Sequence, residues 1–170
     1  MDKNKWIALS AKLDKISEWT GRIFSFIVVP LTLLIVFEVV SRRIFNKPTI
    51  WSFELSNFLF GSHFMLVAAY GLLHKTHVSI DIFTARLSPK SQETLLLAAY
   101  FLFFFPFLMA ILIYGIQVAA ISWAIGEESW SVWHPPLYPV KTVIPITAGL
   151  LIIQGLSDVI KKVIFLRGDK

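Results

Sequence analysis

Four long apolar runs, separated by short polar segments, dominate the pattern of residues along the chain. They cover residues 22–43, 52–73, 93–125 and 142–165. About 20 apolar residues suffice for an α-helix to cross the hydrocarbon core of a bilayer, so each run predicts a transmembrane helix. We therefore predict an all-α integral membrane protein with four transmembrane helices, forming a single membrane domain over residues 1–170.

Polar residues and prolines within these runs predict how the helices are shaped and packed. Pro30 is expected to kink the first run, because proline lacks the backbone N–H that a helix needs. The second run contains Asn57 and His63, is the least apolar, and is expected to face protein more than lipid. The third run reaches about 48 Å at 1.5 Å per residue, well beyond a core of about 30 Å. It must therefore tilt, kink at Pro106 or project from the membrane.

The segment that precedes the first run, residues 3–18, has a different pattern. Its apolar residues recur at helical spacing: Trp6, Leu9, Leu13 and Ile16. The other side is largely charged: Lys3, Lys5, Lys12, Asp14 and Lys15. This pattern is typical of an amphipathic helix lying in the membrane interface, whereas a signal peptide would show a small-residue cleavage site. Further short interfacial segments are expected in the loops, within 74–90 and 129–139.

Composition supports the membrane assignment and narrows the chemistry. The chain is 56% hydrophobic and 16% charged, with a mean hydropathy of +0.68, whereas soluble domains carry roughly a quarter charged residues. The absence of cysteine excludes disulfides, thiolate metal sites and a cysteine nucleophile.

The positive charges indicate topology rather than nucleic-acid binding, because they lie at the ends of the apolar runs instead of forming one patch. Twelve of the sixteen Lys and Arg residues fall on the side that holds the N-terminal arm, the second loop and the C-terminal tail. The positive-inside rule then predicts that both termini are cytoplasmic.

Candidate catalytic or cofactor residues are sparse. Of the four histidines only His63 lies well inside a predicted helix, so a pair of haem ligands is not evident. His77 and Asp81 are four residues apart, which favours a hydrogen-bonded pair fixing a loop over a metal site lacking further ligands. Glu38 and Arg42 have the spacing of a helical ion pair. A small membrane redox or haem protein and a self-sufficient homo-oligomeric transporter stay as alternatives, but no proton relay crosses the middle of the helices.

Several short motifs, taken in order, resemble the small membrane (DctQ-type) subunit of tripartite ATP-independent periplasmic (TRAP) transporters. The resemblance rests on Arg42-x-x-Phe45-Asn46, Trp51-x-x-Glu54, Ala68-Ala69-Tyr70-Gly71-Leu72, His77-Val78-x-x-Asp81, Glu128-x-Trp130, Ile144-Pro145 and Gln154. Each motif alone is weak evidence, but together they occur in the family's order and spacing and extend over nearly the whole chain.

The resemblance implies a non-enzymatic subunit of the bacterial inner membrane. A periplasmic binding protein would deliver an organic acid, and a separate large membrane subunit would import it with sodium. This chain would then be a fixed scaffold without cofactor, metal or sodium site. Our candidates for partner contact or packing are Glu38, Arg42, Arg43, Trp51, Glu54, His77, Asp81, Glu128, Trp130 and Gln154. We expect the corner around Arg43 and the loop 127–138 to offer unpaired charge and aromatic side chains to the binding protein.

Overall fold

The computed structural model describes residues 3–76 and 88–168, and its regular structure there is helical. Its elements are α1 (Lys3–Ser25), α2 (Val28–Arg43), α3 (Ser52–Leu73), α4 (Pro89–Ala99), a π-helical segment (Tyr100–Phe104), α5 (Phe105–Ile125) and α6 (Tyr138–Leu166). Within the described residues, four helical stretches are long and apolar enough to cross a membrane: Asn4–Arg43, Ser52–Leu73, Pro89–Ile125 and Tyr138–Leu166. For the described residues, the prediction of a helical protein with four helices able to cross a membrane is confirmed, whereas the interfacial N-terminal helix and the cytoplasmic termini stay predictions.

The first stretch is interrupted just before Pro30. The sequence predicts that the amphipathic helix ends at residue 18 and that the first membrane-spanning helix begins at residue 22. In the structure α1 instead continues to Ser25, and the break falls at Phe26 and Ile27. Because Pro30 has no N–H, the Phe26 carbonyl lacks its normal helical donor. The Val29 amide donates to that carbonyl instead, at 3.0 Å. A tighter turn therefore separates α1 from α2.

The third stretch widens before its own proline. Pro106 cannot donate to the carbonyl four residues earlier, and the segment Tyr100–Phe104 forms a π-helical turn directly ahead of it. The Phe105 amide donates to the carbonyl of Tyr100, five residues back. Such bulges are a recognised cause of irregularity in long helices, so this turn stands where the sequence predicts a kink.

The membrane-spanning helices are arranged as a row. α2 packs against α3, α3 against α6, and α6 against α5, while α1 packs against both α3 and α6. Among the described residues α2 and α5 therefore form the two edges of the row and do not close into a bundle. α3, predicted to face protein, contacts three other helices.

Glycines allow close approach between neighbouring helices, as is common in membrane proteins. A Cβ atom added to Gly155 of α6 would lie 2.4 Å from the ring of Phe104, and one on Gly115 of α5 would lie 3.1 Å from Ile144. On α1, a Cβ added to Gly21 would lie only 2.3 Å from the Cβ of Tyr70. These three positions join the row and fix α1 to it.

The inward face of α1 is small and polar rather than apolar. Ser10, Ser17 and Gly21 are buried, and Asp14 on the same stripe is half-buried. The apolar side chains Trp6, Leu9 and Ile16 are exposed. The sequence pattern grouped Asp14 with the charged side of an interfacial helix, but it faces α6.

Candidate partner interface

The predicted candidate residues divide between the two ends of the row. We call the end formed by the connections 44–51 and 126–137 the hairpin end, and the end where α1 begins and α6 finishes the terminal end. Most candidates lie at the hairpin end: Glu38, Arg42, Arg43, Trp51, Glu54, Glu128 and Trp130. Gln154 lies toward the terminal end, and His77 and Asp81 lie outside the described residues.

The carboxylate of Glu38 fixes the turn between α2 and α3. Its Oε1 atom accepts hydrogen bonds from Arg42 Nη2 at 2.7 Å and Arg42 Nε at 3.1 Å. Its Oε2 atom accepts from the Thr49 hydroxyl at 2.6 Å. The ion pair that the spacing predicts is thus confirmed. Asn46 adopts a left-handed φ of 54° in this turn, which asparagine tolerates better than most residues.

The carboxylate of Glu54 joins the two hairpin connections. Its two oxygens accept hydrogen bonds from the hydroxyls of Ser129 and Ser131, at 2.8 and 2.6 Å. The Ser131 hydroxyl oxygen in turn accepts a hydrogen bond from the Trp133 amide at 3.3 Å. Glu54 is therefore paired with the loop 127–138, a contact that was not predicted from the sequence. Ser129 and Ser131, two hydroxyl donors spaced two residues apart, are the sequence feature that could have indicated this contact.

Aromatic rings complete this junction and leave one part of the loop free. The ring of Trp51 stacks on Phe37 with centroids 6.0 Å apart, and lies 6.4 Å from the ring of Trp133. By contrast, Trp130 is 100% exposed and Val132 is 82% exposed. The loop thus has a fixed base and an uncovered apolar tip.

The base of the loop is closed by backbone and charge. The Ser129 amide donates to the Pro135 carbonyl, and the Leu137 amide to the Glu127 carbonyl, both at 2.9 Å. Lys141 donates to the Glu127 carboxylate, and this hydrogen bond holds the pKa of Glu127 below its usual value because it favours the ionised form. The side chains of Glu128 and Arg43 are exposed.

A second polar network ties α1 to the terminal end of the row. Gln154 is fully buried, and its Nε2 atom lies 3.2 Å from both Asp14 Oδ1 and Asp158 Oδ1, donating to each. The Ser157 hydroxyl donates to Asp14 Oδ1 at 2.6 Å, and Lys161 Nζ lies 2.7 Å from Asp14 Oδ2. Gln154 therefore packs within the chain, in a polar network centred on Asp14. Asp14 was not among the candidate residues predicted from the sequence.

This network extends to the third stretch. The Tyr100 hydroxyl donates to Asp158 Oδ2 at 2.9 Å, so the π-helical segment is tied to α6. Lys162 Nζ forms an ion pair with Glu93 at 2.6 Å. Together these contacts join α4 and the π-helical segment to the C-terminal half of α6.

The described histidines serve separate local contacts. His63 Nδ1 lies 3.1 Å from the Phe24 carbonyl oxygen, and His74 Nε2 lies 2.8 Å from the Glu18 carboxylate. His134 Nδ1 lies 3.1 Å from the Ser129 carbonyl oxygen. Within 3–76 and 88–168, no three His, Asp or Glu side chains gather as a metal-binding group.

These features define a class: a multi-pass helical membrane protein in which several charged side chains join its own helices and loops. The chain belongs to the family of tripartite ATP-independent periplasmic transporters, DctQ component, which matches residues 31–164. It is also 28% identical, over 81 residues, to the sialic acid TRAP transporter permease protein SiaT of Haemophilus influenzae (strain 86-028NP). That similarity covers 48% of this chain and 13% of the relative, so the chain spans a small part of that protein's length. The resemblance drawn from the motifs is confirmed.

Proposed function

We propose that this chain is the small scaffold subunit of a sodium-coupled secondary transporter that imports organic acids. It would pack beside the large membrane subunit and form part of the body that stays still during transport. The family is one of transporter components, which supports the transport role; the substrate class and the coupling ion come from the resemblance alone.

The observation that carries the scaffold role is the row of spans held by fixed polar contacts. A lone transporter needs an enclosed route lined by groups that can bind a solute, and a row with two free edges encloses little. In the most apolar part of each span, between 6% and 28% of the residues are buried within the chain. Much apolar surface is therefore left for lipid and for another membrane protein.

The hairpin end is the proposed contact for the periplasmic binding protein. This requires the orientation that the positive charges predict, with both termini in the cytoplasm. The exposed tip at Trp130 and Val132 and the exposed charges of Arg43 and Glu128 lie at this same end of the row, a combination that suits a transient protein contact. Because Glu54 fixes the base of the loop, the tip would meet its partner already ordered, at a small entropic cost.

The test of the scaffold role combines co-purification with uptake. A tagged copy is expressed with the large membrane subunit and the binding protein encoded beside it, and the complex is extracted in mild detergent. We expect the large subunit to be recovered in stoichiometric amount, and sodium-dependent uptake of an organic acid to need this chain. Recovery of the chain alone, as a coloured species or as a homo-oligomer, would contradict the proposal and favour the redox or lone-transporter alternatives.

The contact with the binding protein is tested separately. Charge reversal at Arg43 and Glu128, or Trp130→Ala, should weaken uptake while leaving recovery of the large subunit unchanged. Trp19→Ala, an exposed tryptophan in α1 away from the hairpin end, is the matched control. Unchanged uptake and docking in the hairpin-end variants would remove this partner surface from the proposal.

A further inference from the structure

One face of α5 points away from the rest of the chain, and its residues are unusual for a helix surface that contacts lipid. We call it the outward face of α5, and it consists of Phe107, Ala110, Tyr114, Gln117 and Ile121. All five side chains are exposed. Gly115, two residues before Gln117, packs against Ile144 of α6, and two residues turn a helix by about 200°. The outward face therefore lies opposite the contact with α6.

Two polar groups on this face lie deep in the apolar stretch. Trp123, whose indole donates to the Thr142 hydroxyl at 2.9 Å, has the chemistry of a residue at the headgroup level. Along the helix axis, Gln117 and Tyr114 then lie about 9 and 14 Å from Trp123 toward the middle of the bilayer. Both distances are shorter than half the thickness of a hydrocarbon core of roughly 30 Å.

Neither group has a hydrogen-bond partner in the described part of the chain. A glutamine amide carries two donor hydrogens and an acceptor oxygen, and a tyrosine hydroxyl can donate and accept. Lipid chains supply neither kind of partner. Thr32, an exposed polar residue of α2, shows the usual solution: its hydroxyl donates to the Val28 carbonyl at 2.8 Å. Gln117 and Tyr114 have no such contact.

The spacing of the outward face fits a single packed helix. Positions 107, 110, 114, 117 and 121 alternate three and four apart, the repeat that lets one helix run along another. Ala110 leaves room for close approach, and polar side chains across membrane helices act as hydrogen-bond partners. Because α5 is an edge of the row, a helix placed here would extend the row.

We infer that the outward face of α5 binds a transmembrane helix of the large membrane subunit, with Gln117 and Tyr114 hydrogen bonding to that helix. This inference rests on the proposed function, since the family assigns the chain to a multi-component transporter. The partner helix supplies a polar side chain or a free carbonyl opposite Gln117. Lipid, or a second copy of this chain, is the competing occupant.

Gln117→Leu and Tyr114→Phe distinguish these occupants by the direction of their effect. In a protein interface, losing the hydrogen bonds should lower recovery of the co-expressed large subunit by about three- to tenfold. Facing lipid, the same changes would leave recovery unchanged and raise the thermal stability of the chain. Thr32→Val is the matched control, since it removes an exposed hydroxyl that is already bonded within the chain, and it should not alter recovery.

A photo-crosslinking amino acid at position 117 identifies the neighbour directly, with the same amino acid at position 32 as the control. A crosslink from position 117 to the large subunit supports the inference; a crosslink to a second copy, or to lipid alone, overturns it. Recovery of the large subunit with the unmodified chain is measured in parallel. If that recovery fails, the proposed function fails; if it succeeds while both position-117 tests are negative, only this inference is wrong.

Discussion

Gly21→Ala should detach α1 from α3, although alanine normally favours a helix. The new Cβ would lie 2.3 Å from Tyr70 Cβ and 2.4 Å from Tyr70 Cγ. A Cβ atom is bonded to the backbone, so no rotamer change of Tyr70 can relieve the first contact. Ordinary carbon contacts begin near 3.4 Å, so α1 must retreat by about 1 Å, which forfeits much of its attractive packing.

The size of the effect follows from comparison with a glycine that has room. Gly149→Ala, in α6, meets nothing within 4 Å and should gain up to about 1 kcal/mol from helix propensity. At Gly21 that gain is opposed by overpacking of about 1–3 kcal/mol, and by strain on the contacts of Glu18 with His74 and of His63 with Phe24. Because the propensity gain is common to both variants, we expect them to differ by about 1–3 kcal/mol, or about 2–12 °C in melting temperature.

Thermal unfolding in detergent measures this difference. The chain has six tryptophans and no cysteine, so tryptophan emission is a suitable probe and thiol-reactive dyes are not. Hydrogen exchange should locate the damage in α1 and in the facing part of α3, rather than across the row. If Gly21→Ala stabilises the protein as much as Gly149→Ala does, α1 is not packed against Tyr70.

Two further predictions concern the hairpin end. Glu54→Gln loses one charge-assisted hydrogen bond and should speed amide exchange in residues 129–133 about tenfold; Glu128→Gln is the control, and equal exchange in both variants would refute the role of Glu54. The pKa of Glu127 is lowered in the folded state, so its pair with Lys141 stabilises the protein above the carboxyl's usual pKa of 4.5. That contribution should be lost as the pH falls below 4.5 through the folded-state pKa. Lys141→Met should flatten this part of a melting-temperature profile from pH 7 to pH 3, and an unchanged profile would argue against the pair.

Features of this fold that depend on residues close together in the chain could be predicted from the sequence. The span Ser52–Leu73 stands as the apolar run predicts it, since apolar length alone distinguishes a membrane helix from its flanking loops. The pair of Glu38 and Arg42 follows from a spacing of four residues. Pro30 and Pro106 each mark an irregular helical turn. The break before Pro30, at Phe26 and Ile27, lies further along the chain than the boundary predicted between residues 18 and 22.

Contacts between distant residues were not accessible in this way. Asp14 and Ser157 are 143 residues apart, and the alternation of apolar and charged residues in α1 does not indicate that its polar side packs inward. A stripe of small residues at positions 10, 17 and 21 was the available signal, because membrane helices pack through such residues. Likewise Glu54 and the loop at Ser129 were both predicted as candidates, but their hydrogen bond joins separate hairpins.

The site also changes character once these contacts are known. Unpaired charge was expected at the hairpin end, but Glu54 and Glu127 are both paired there and so hold the structure in place. The surface left for a partner is smaller, and consists of the exposed tip at Trp130 and Val132 with the exposed charges of Arg43 and Glu128. The role of each candidate in partner contact stays a prediction.

The most direct test of the scaffold account is a native mass spectrum of the complex purified through a tag on this chain. The account predicts one copy of the 19.4 kDa chain bound to one large membrane subunit. A spectrum showing only multiples of this chain, with the co-expressed large subunit absent, would contradict it.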